Sequence, residues 1–169
     1  DLIEKLFGAY GGVWISQDRK KRGKGITVHL NLSFDFLLPK VDKIEEWILK
    51  EENLFAAFWA GYLDAEGSFT ISSKRAIFKV DSCDLEILHQ AWRKLHEIGI
   101  IFPPPRIVRE RGTHVGGVTS TCDLWRLASE SKTTLLQMCT LIESYVKHEK
   151  RFQDLKALQS NVLQRTKKS

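Results

Sequence analysis

The sequence predicts an α+β fold: one antiparallel sheet covered by helices on a single face, in the order α-β-β-α-β-β-α. Three observations carry this expectation. No polar side chain falls between Asn53 and Asp64, and Leu54, Phe55, Phe58, Trp59, Tyr62 and Leu63 recur there at helical spacing. The stretches 68–72 and 76–82 alternate in steps of two, and a second strand pair is expected at 106–111 and 120–127. Helical spacing returns with Leu85, Leu88, Trp92, Leu95 and Ile98, and again with Leu135, Met138, Cys139, Ile142, Tyr145 and Val146.

The first of these helices organises the rest. Apolar all round, it is expected to be buried on every side, and it is too short to span a bilayer. Ala57, Gly61 and Ala65 lie four apart, as do Ala56 and Ala60, making a smooth stripe that another backbone can approach. A glycine inside a helix costs about 1 kcal/mol against alanine, so Gly61 implies packing there. Asp64 and Glu66 fall in the last turn, where the helix dipole disfavours carboxylates by about 0.3–1 kcal/mol each. Two copies packed along the stripe would bring two Glu66 groups together, a repulsion that a shared cation relieves; oxygen-rich, open sites suit magnesium. The plainer alternative is a core helix with an exposed acidic end, closed by Gly67 as C-cap.

In the hairpin that follows, Phe69 and Ile71 share one face and Ser68, Thr70 and Ser72 the other. Ser73, Lys74 and Arg75 turn the chain, which returns with Phe78 and Val80 inward and Lys79 and Asp81 outward. Asp84 is expected to cap the next helix, which Gly99 ends. Pro103, Pro104 and Pro105 form a stiff connector into the basic strand 106–111, after which Gly112, Gly116 and Gly117 permit a turn or bulge. A last helix holds Phe152, Leu155, Leu158 and Val162 ahead of a basic tail, 165–169.

Upstream, Leu2, Ile3, Leu6 and Phe7 read as a helix end, 13–15 and 26–33 as strands joined by a basic turn, and Pro39 opens a helix through Val41, Ile44, Trp47 and Ile48. This order matches that of 85–150, although such an order can also recur by chance. The chain is accordingly divided into 1–52, an N-terminal extension resembling the back half of a second repeat, and 53–169, the main domain with its C-terminal helix and basic tail.

The length suits one compact domain with a real core, and 43% hydrophobic with 28% charged residues is ordinary for a soluble chain. No secretory or membrane-spanning stretch is present, so an intracellular, non-secreted protein is expected. Cys83, Cys122 and Cys139 lack C-x-x-C spacing and are expected to be reduced thiols, which argues against zinc. His29, His89, His96, His114 and His148 show no metal-ligand spacing and read as structural or surface residues. A net charge of +5, with a pI near 9.1, favours a polyanionic partner.

Trp59-Ala-Gly-Tyr-Leu-Asp-Ala-Glu-Gly67, followed by Ser68-Phe69-Thr70-Ile71, resembles the nine-residue signature and following strand of the LAGLIDADG homing endonuclease family, in its single-motif, homodimeric form. Trp59 replaces the first leucine and Tyr62 and Leu63 the central apolar pair. Glu66 stands where the family has aspartate, keeping the charge and lengthening the reach. The likeness, with its αββαββα order, covers about 53–150.

That resemblance implies a metal-dependent, site-specific endonuclease that hydrolyses phosphodiester bonds of double-stranded DNA at a pseudo-palindromic site, the second acid coming from a second copy of the chain. Glu66 would bind Mg2+ through its carboxylate with the carbonyl of Ala65 assisting, Mn2+ or Ca2+ substituting for binding. The family's late lysine falls in the region of Lys147 and Lys150, between which the local pattern does not choose. Ala57, Ala60, Gly61 and Asp64 would lie at the dimer interface; Asp64 equally suits a structural role at the helix end, and Ser82 would orient water.

The uncovered sheet face is expected to carry Ser68, Thr70, Ser72, Lys74, Arg75, Lys79 and Asp81, with Arg106, Arg109 and Arg111 on the second hairpin. Arginine and lysine read guanine edges in the major groove, and serine and threonine reach bases or phosphates. Arg19, Lys20, Lys21, Arg22 and Lys24 suit phosphates, so binding should be salt-sensitive. The expected partners are double-stranded DNA and a second copy, with no membrane and no small-molecule substrate. Two alternatives stand on the same scaffold: an RNA-binding intron maturase and a non-cleaving DNA-binding regulator. A carboxylate retained at position 66 argues against the regulator and leaves the maturase open.

Overall fold

The computed structural model describes residues 2–17, 24–30 and 42–166. It divides into two compact units, residues 1–41 and 42–169. In the first, α1 (Leu2–Phe7) leads into β1 (Gly11–Gln17), which pairs antiparallel with β2 (Lys24–Leu30). Val13 stands opposite Val28 and Ile15 opposite Ile26, so the four share one face. On the other face the Trp14 ring lies 4.5 Å from that of His29 and covers Gly12, where any Cβ would collide with the indole. Arg19, Lys20, Lys21 and Arg22, the proposed helix start at Pro39 and Val41, and the last three residues of the tail lie outside the described residues.

The second unit runs α2 (Glu46–Lys50), α3 (Glu52–Glu66), β3 (Gly67–Ser72), β4 (Arg75–Ser82), α4 (Leu85–Glu97), β5 (Arg106–Arg109), β6 (His114–Val115), β7 (Val118–Thr119), β8 (Leu124–Ser129), α5 (Lys132–Ile142) and α6 (Glu149–Thr166). Its main sheet is antiparallel in the order β3-β4-β8-β5. Phe69 stands opposite Phe78 and Val80 opposite Leu127. These buried residues share one core with Trp59 and Leu63 of α3, Leu88 and Leu95 of α4, Leu135 and Met138 of α5, and Leu155 and Val162 of α6. The α+β architecture expected from the two periodicities is the one observed.

Three local expectations differ. Ile44 precedes α2 instead of lying within a helix: its N–H donates to Oε1 of Gln90 (2.6 Å) and its carbonyl accepts from Nε2 of the same side chain (3.3 Å). That clamp, reaching across 46 residues, holds as irregular backbone what helical spacing read as helix, and 42–52 belong to the second compact unit. The last strand starts at Leu124, not at residue 120. Ser120 and Asp123 are occupied in turn bonds, Ser120 Oγ to the Cys122 carbonyl (2.8 Å) and Arg111 N–H to Asp123 Oδ1 (2.7 Å), which leaves Arg111 beyond β5 in an arm that β6 and β7 close.

The third difference concerns the cysteines. Cys83 and Cys122 form a disulfide with Cα atoms 6.0 Å apart, correcting the expectation of reduced thiols. Ser82 and Trp125 are register partners, so the end of β4 and the approach to β8 bring the two cysteines together. Cys139 is the buried thiol expected; burial, and then the charge of Glu143, push its pKa up to about 12.

The β3–β4 turn has left-handed backbone at both Ser73 (φ 49°) and Lys74 (φ 65°), as a two-residue type I′ turn requires. Left-handed backbone costs a non-glycine residue roughly 1–2 kcal/mol. Lys74→Gly should therefore stabilise the protein by about 0.5–1 kcal/mol after glycine's extra unfolded-state freedom is allowed for, measurable as a rise in denaturation midpoint. The disulfide spans 39 residues. Its reduction, or the Cys83→Ser/Cys122→Ser pair, should lower stability by roughly 3–4 kcal/mol in denaturant titrations.

Candidate active site and nucleic-acid interface

α3 has two unlike flanks. Phe55, Ala56, Trp59, Ala60 and Leu63 are buried in the core, while Leu54, Ala57, Gly61 and Ala65 are exposed along the opposite side. A Cβ added to Gly61 would meet nothing within 4 Å. Burial on every side therefore does not hold within one chain. Ala60, expected at a dimer interface, is 0% exposed and belongs to its own core. One residue step turns a helix by about 100°, enough to carry position 60 inward while 61 stays out.

The helix ends abruptly. Gly67 N–H bonds the Leu63 carbonyl, and a Cβ at Gly67 would lie 2.6 Å from that oxygen, so only glycine lets α3 run directly into β3. Its backbone is extended (φ −76°, ψ 156°), not the left-handed form of a usual helix C-cap. Glu66 is left exposed at the tip. Asp64 is directed elsewhere: Oδ2 accepts from the N–H groups of Lys147 (2.9 Å) and His148 (3.1 Å) at the entry to α6, where the helix dipole favours an anion. That bonding ties the end of α3 to the start of α6 within one chain.

The two candidate lysines lie near this junction in different ways. Lys147 is bonded through its backbone to Asp64, and its side chain is exposed. Lys150, 73% exposed, reaches Asp154 one turn along α6 (3.5 Å). Sequence reasoning missed Arg151, whose Nε donates to the carbonyl of Asp64 (3.4 Å); its position one turn into α6 from the Asp64-bound turn is the signal that could have found it.

Tyr62 OH donates to Ser82 Oγ (2.6 Å), which also accepts the N–H of Asp84 (3.1 Å). Ser82 is buried within these bonds, a different setting from the water-orienting role expected of it. Burial raises the pKa of the Tyr62 phenol; the Ser82 bond opposes this, and the charges of Asp84 and Glu66 add to it. The carboxylate of Glu66 and the carbonyl of Ala65, at the negative end of α3, are hard oxygen donors of the kind a divalent cation takes. Among the described residues no group of three or more His, Cys, Asp or Glu is placed to hold a metal.

On the sheet face opposite the core, the register sets Ser68 beside Lys79 and Ser72 beside Arg75, with Thr70 between them on β3. Thr70, Ser72, Lys74, Arg75, Arg106, Arg109 and Arg111 are exposed, whereas Ser68, Lys79 and Asp81 are half-buried. Lys24 opens β2, opposite Gln17, in the other unit. Asp81, expected as a nucleic-acid contact, has both oxygens engaged by Arg126, from Nε and Nη2 at 2.6 Å each. The pair fixes the Arg126 guanidinium, whose pKa the bond raises further. Arg126 was missed because its outward face is set by a ladder that begins at Leu124; Arg106 is its register partner on β5.

The bonds of Asp64 invite a stability measurement. Asp64→Ala removes the carboxylate that caps two N–H groups at the start of α6 and should cost about 0.5–2 kcal/mol in chemical denaturation, while Glu66→Gln should change stability little.

Comparison with known proteins bears on the same span. The model of the LAGLIDADG-like domain matches residues 53–132, from the first turn of α3 to the start of α5. The curated proteins include no match to the chain. The matched residues contain α3 with Glu66 at its tip and all four strands of the main sheet, so the stretch 53–132 is a LAGLIDADG-like domain, the kind that homing endonucleases and maturases carry.

Proposed function

We propose that the chain is a sequence-specific, double-stranded DNA endonuclease that acts as a homodimer with a divalent metal at a pseudo-palindromic site. The observation that carries this reading is the bare flank of α3: Ala57, Gly61 and Ala65 lie open along a line that ends at the exposed Glu66. A second copy seated on that line covers it by two-fold symmetry and sets the two Glu66 carboxylates near the axis. A two-fold protein selects two related half-sites.

The residues divide the work. Arg106, Arg109, Arg126 and Lys79 supply guanidinium and ammonium donors to base edges or phosphates, and Thr70 and Ser72 supply hydroxyls. Lys147, Lys150 and Arg151 place positive charge around the α3–α6 junction, where a phosphate would collect it. Glu66, with the Ala65 carbonyl, would hold Mg2+, or Mn2+ or Ca2+ for binding alone. When bound, such an ion neutralises charge on the phosphate and makes its water a better nucleophile. The N-terminal unit, α1-β1-β2, repeats the order of α4, β5 and β8 and is read as the back half of a second repeat. An RNA-binding maturase is the second reading, favoured by the outer sheet face alone, since a basic, hydroxyl-bearing surface suits RNA as well.

Cleavage of a plasmid library carrying randomised targets, with Mg2+, tests the proposal. The wild-type chain should nick and linearise a subset of plasmids, and Glu66→Gln should lose at least 100-fold in rate with DNA binding retained. RNA binding without cleavage would select the maturase, and cleavage surviving Glu66→Gln would reject the catalytic assignment. By light scattering the wild type should be a dimer and Gly61→Leu a monomer of unchanged fold, since position 61 has room for a side chain in the single chain. A wild-type monomer on DNA would overturn the two-fold arrangement.

A further inference from the structure

Glu66 leaves α3 at its last residue, so the direction of its carboxylate depends on how firmly the final turn is held. One side of that turn is tied by Asp64 to the start of α6. The Glu66 side has a separate tie. Tyr62 lies one turn earlier on the same flank, and its hydroxyl donates to Ser82 Oγ at 2.6 Å. Ser82 is the last residue of β4, 5% exposed, and its oxygen is itself fixed by the N–H of Asp84. The next residue, Cys83, is bonded to Cys122, so the strand end that receives the phenol is cross-linked to the approach of β8.

Packing does not account for the hydroxyl. The Tyr62 ring stacks on Phe58 (6.2 Å) and on Trp59 (5.6 Å), contacts that phenylalanine would reproduce. The oxygen reaches past them to a buried acceptor, in a place where the charges of both Glu66 and Asp84 act on it. We infer that Tyr62 and Ser82 are positioning residues whose hydrogen bond fastens the last turn of α3 to the end of β4 and so sets the direction in which Glu66 meets a divalent cation. The inference rests on the metal-binding role proposed for Glu66. Removing either partner frees the tip without removing a ligand, and loss of such outer support typically weakens metal binding about 10- to 100-fold.

Binding of Mn2+ to the full chain, followed by electron paramagnetic resonance of the free ion, tests this without needing a DNA target. Tyr62→Phe and Ser82→Ala should each weaken Mn2+ binding about tenfold, and the double variant should be no weaker than either single one, because the two residues form one device. Melting temperatures of the single variants should stay within a few degrees of the wild type, and half-saturating Mg2+ in plasmid cleavage should rise by the same factor as the Mn2+ constant. Glu66→Gln serves as the reference and should remove the site. Wild-type Mn2+ affinity in both single variants, with the site lost in Glu66→Gln, would overturn the inference and leave the proposed function standing. Wild-type Mn2+ affinity in Glu66→Gln would remove the metal site and the inference with it.

Discussion

Phe55, Trp59 and Leu63 hold α3 at one rotational setting, and much else follows from that setting. A buried aromatic side chain removes about 150–250 Å² from water. At about 25 cal/mol per Å² that is roughly 4–6 kcal/mol for Trp59 alone. Turning the helix by one residue step would exchange that burial for the much smaller gain of covering Ala57 and Gly61. The large side chains therefore win, and the small ones are left outside. The phase of the helix then settles its far end: Asp64 comes round to the N–H groups ahead of α6, and Tyr62 comes round to Ser82.

The outer sheet face meets a different constraint. Arg106 and Arg126 are register partners, and like charges directly opposite one another in a sheet destabilise it. Asp81, opposite Arg126 on the other neighbouring strand, offsets this with a two-pronged ion pair whose partners are each 28% exposed on their side chains. Partial exposure keeps the pair's worth modest in free energy. Its geometric consequence is larger, because Nε and Nη2 are engaged and the guanidinium plane is fixed before any partner arrives. A basic surface is thus kept compatible with a stable ladder by one carboxylate that a tally of net charge counts only as a loss.

Elements whose burial imposes a period were legible in the sequence. Phe69, Phe78 and Val80 alternate because one sheet face meets the core, and Leu88, Leu95, Leu135 and Met138 return at helical spacing for the same reason. The misread details are those settled by a specific bond or by a neighbour's bulk, neither of which a period displays. Gln90 makes irregular backbone of the segment at Ile44, and Asp123 and Ser120 divert the approach to β8 into turn bonds. Cys83 and Cys122 meet because two strands adjoin, which spacing alone does not reveal. Ala60 was grouped with the open stripe because the rows 56–60 and 57–61 look alike as letters; only the volume of Phe55 and Trp59 beside the first row decides which turns inward.

Two acids, Asp64 and Glu66, end the same helix and meet opposite fates, and the difference is one of donors. The negative end of a helix is a poor place for either. Asp64 escapes the penalty through two N–H groups at the positive end of α6, so its charge serves the fold. Glu66 has no hydrogen bond or ion pair of that kind among the described residues, and the nearby Tyr62 phenol is turned to Ser82 instead of to it. Selection for stability alone would replace such a carboxylate with a neutral or basic side chain. Under the proposed function its compensation comes from a cation, whose charge suits both the carboxylate and the carbonyl dipoles behind it. Glutamate, one methylene longer than aspartate, extends the carboxylate beyond the end of α3, and that added reach makes the orientation of its last turn matter more.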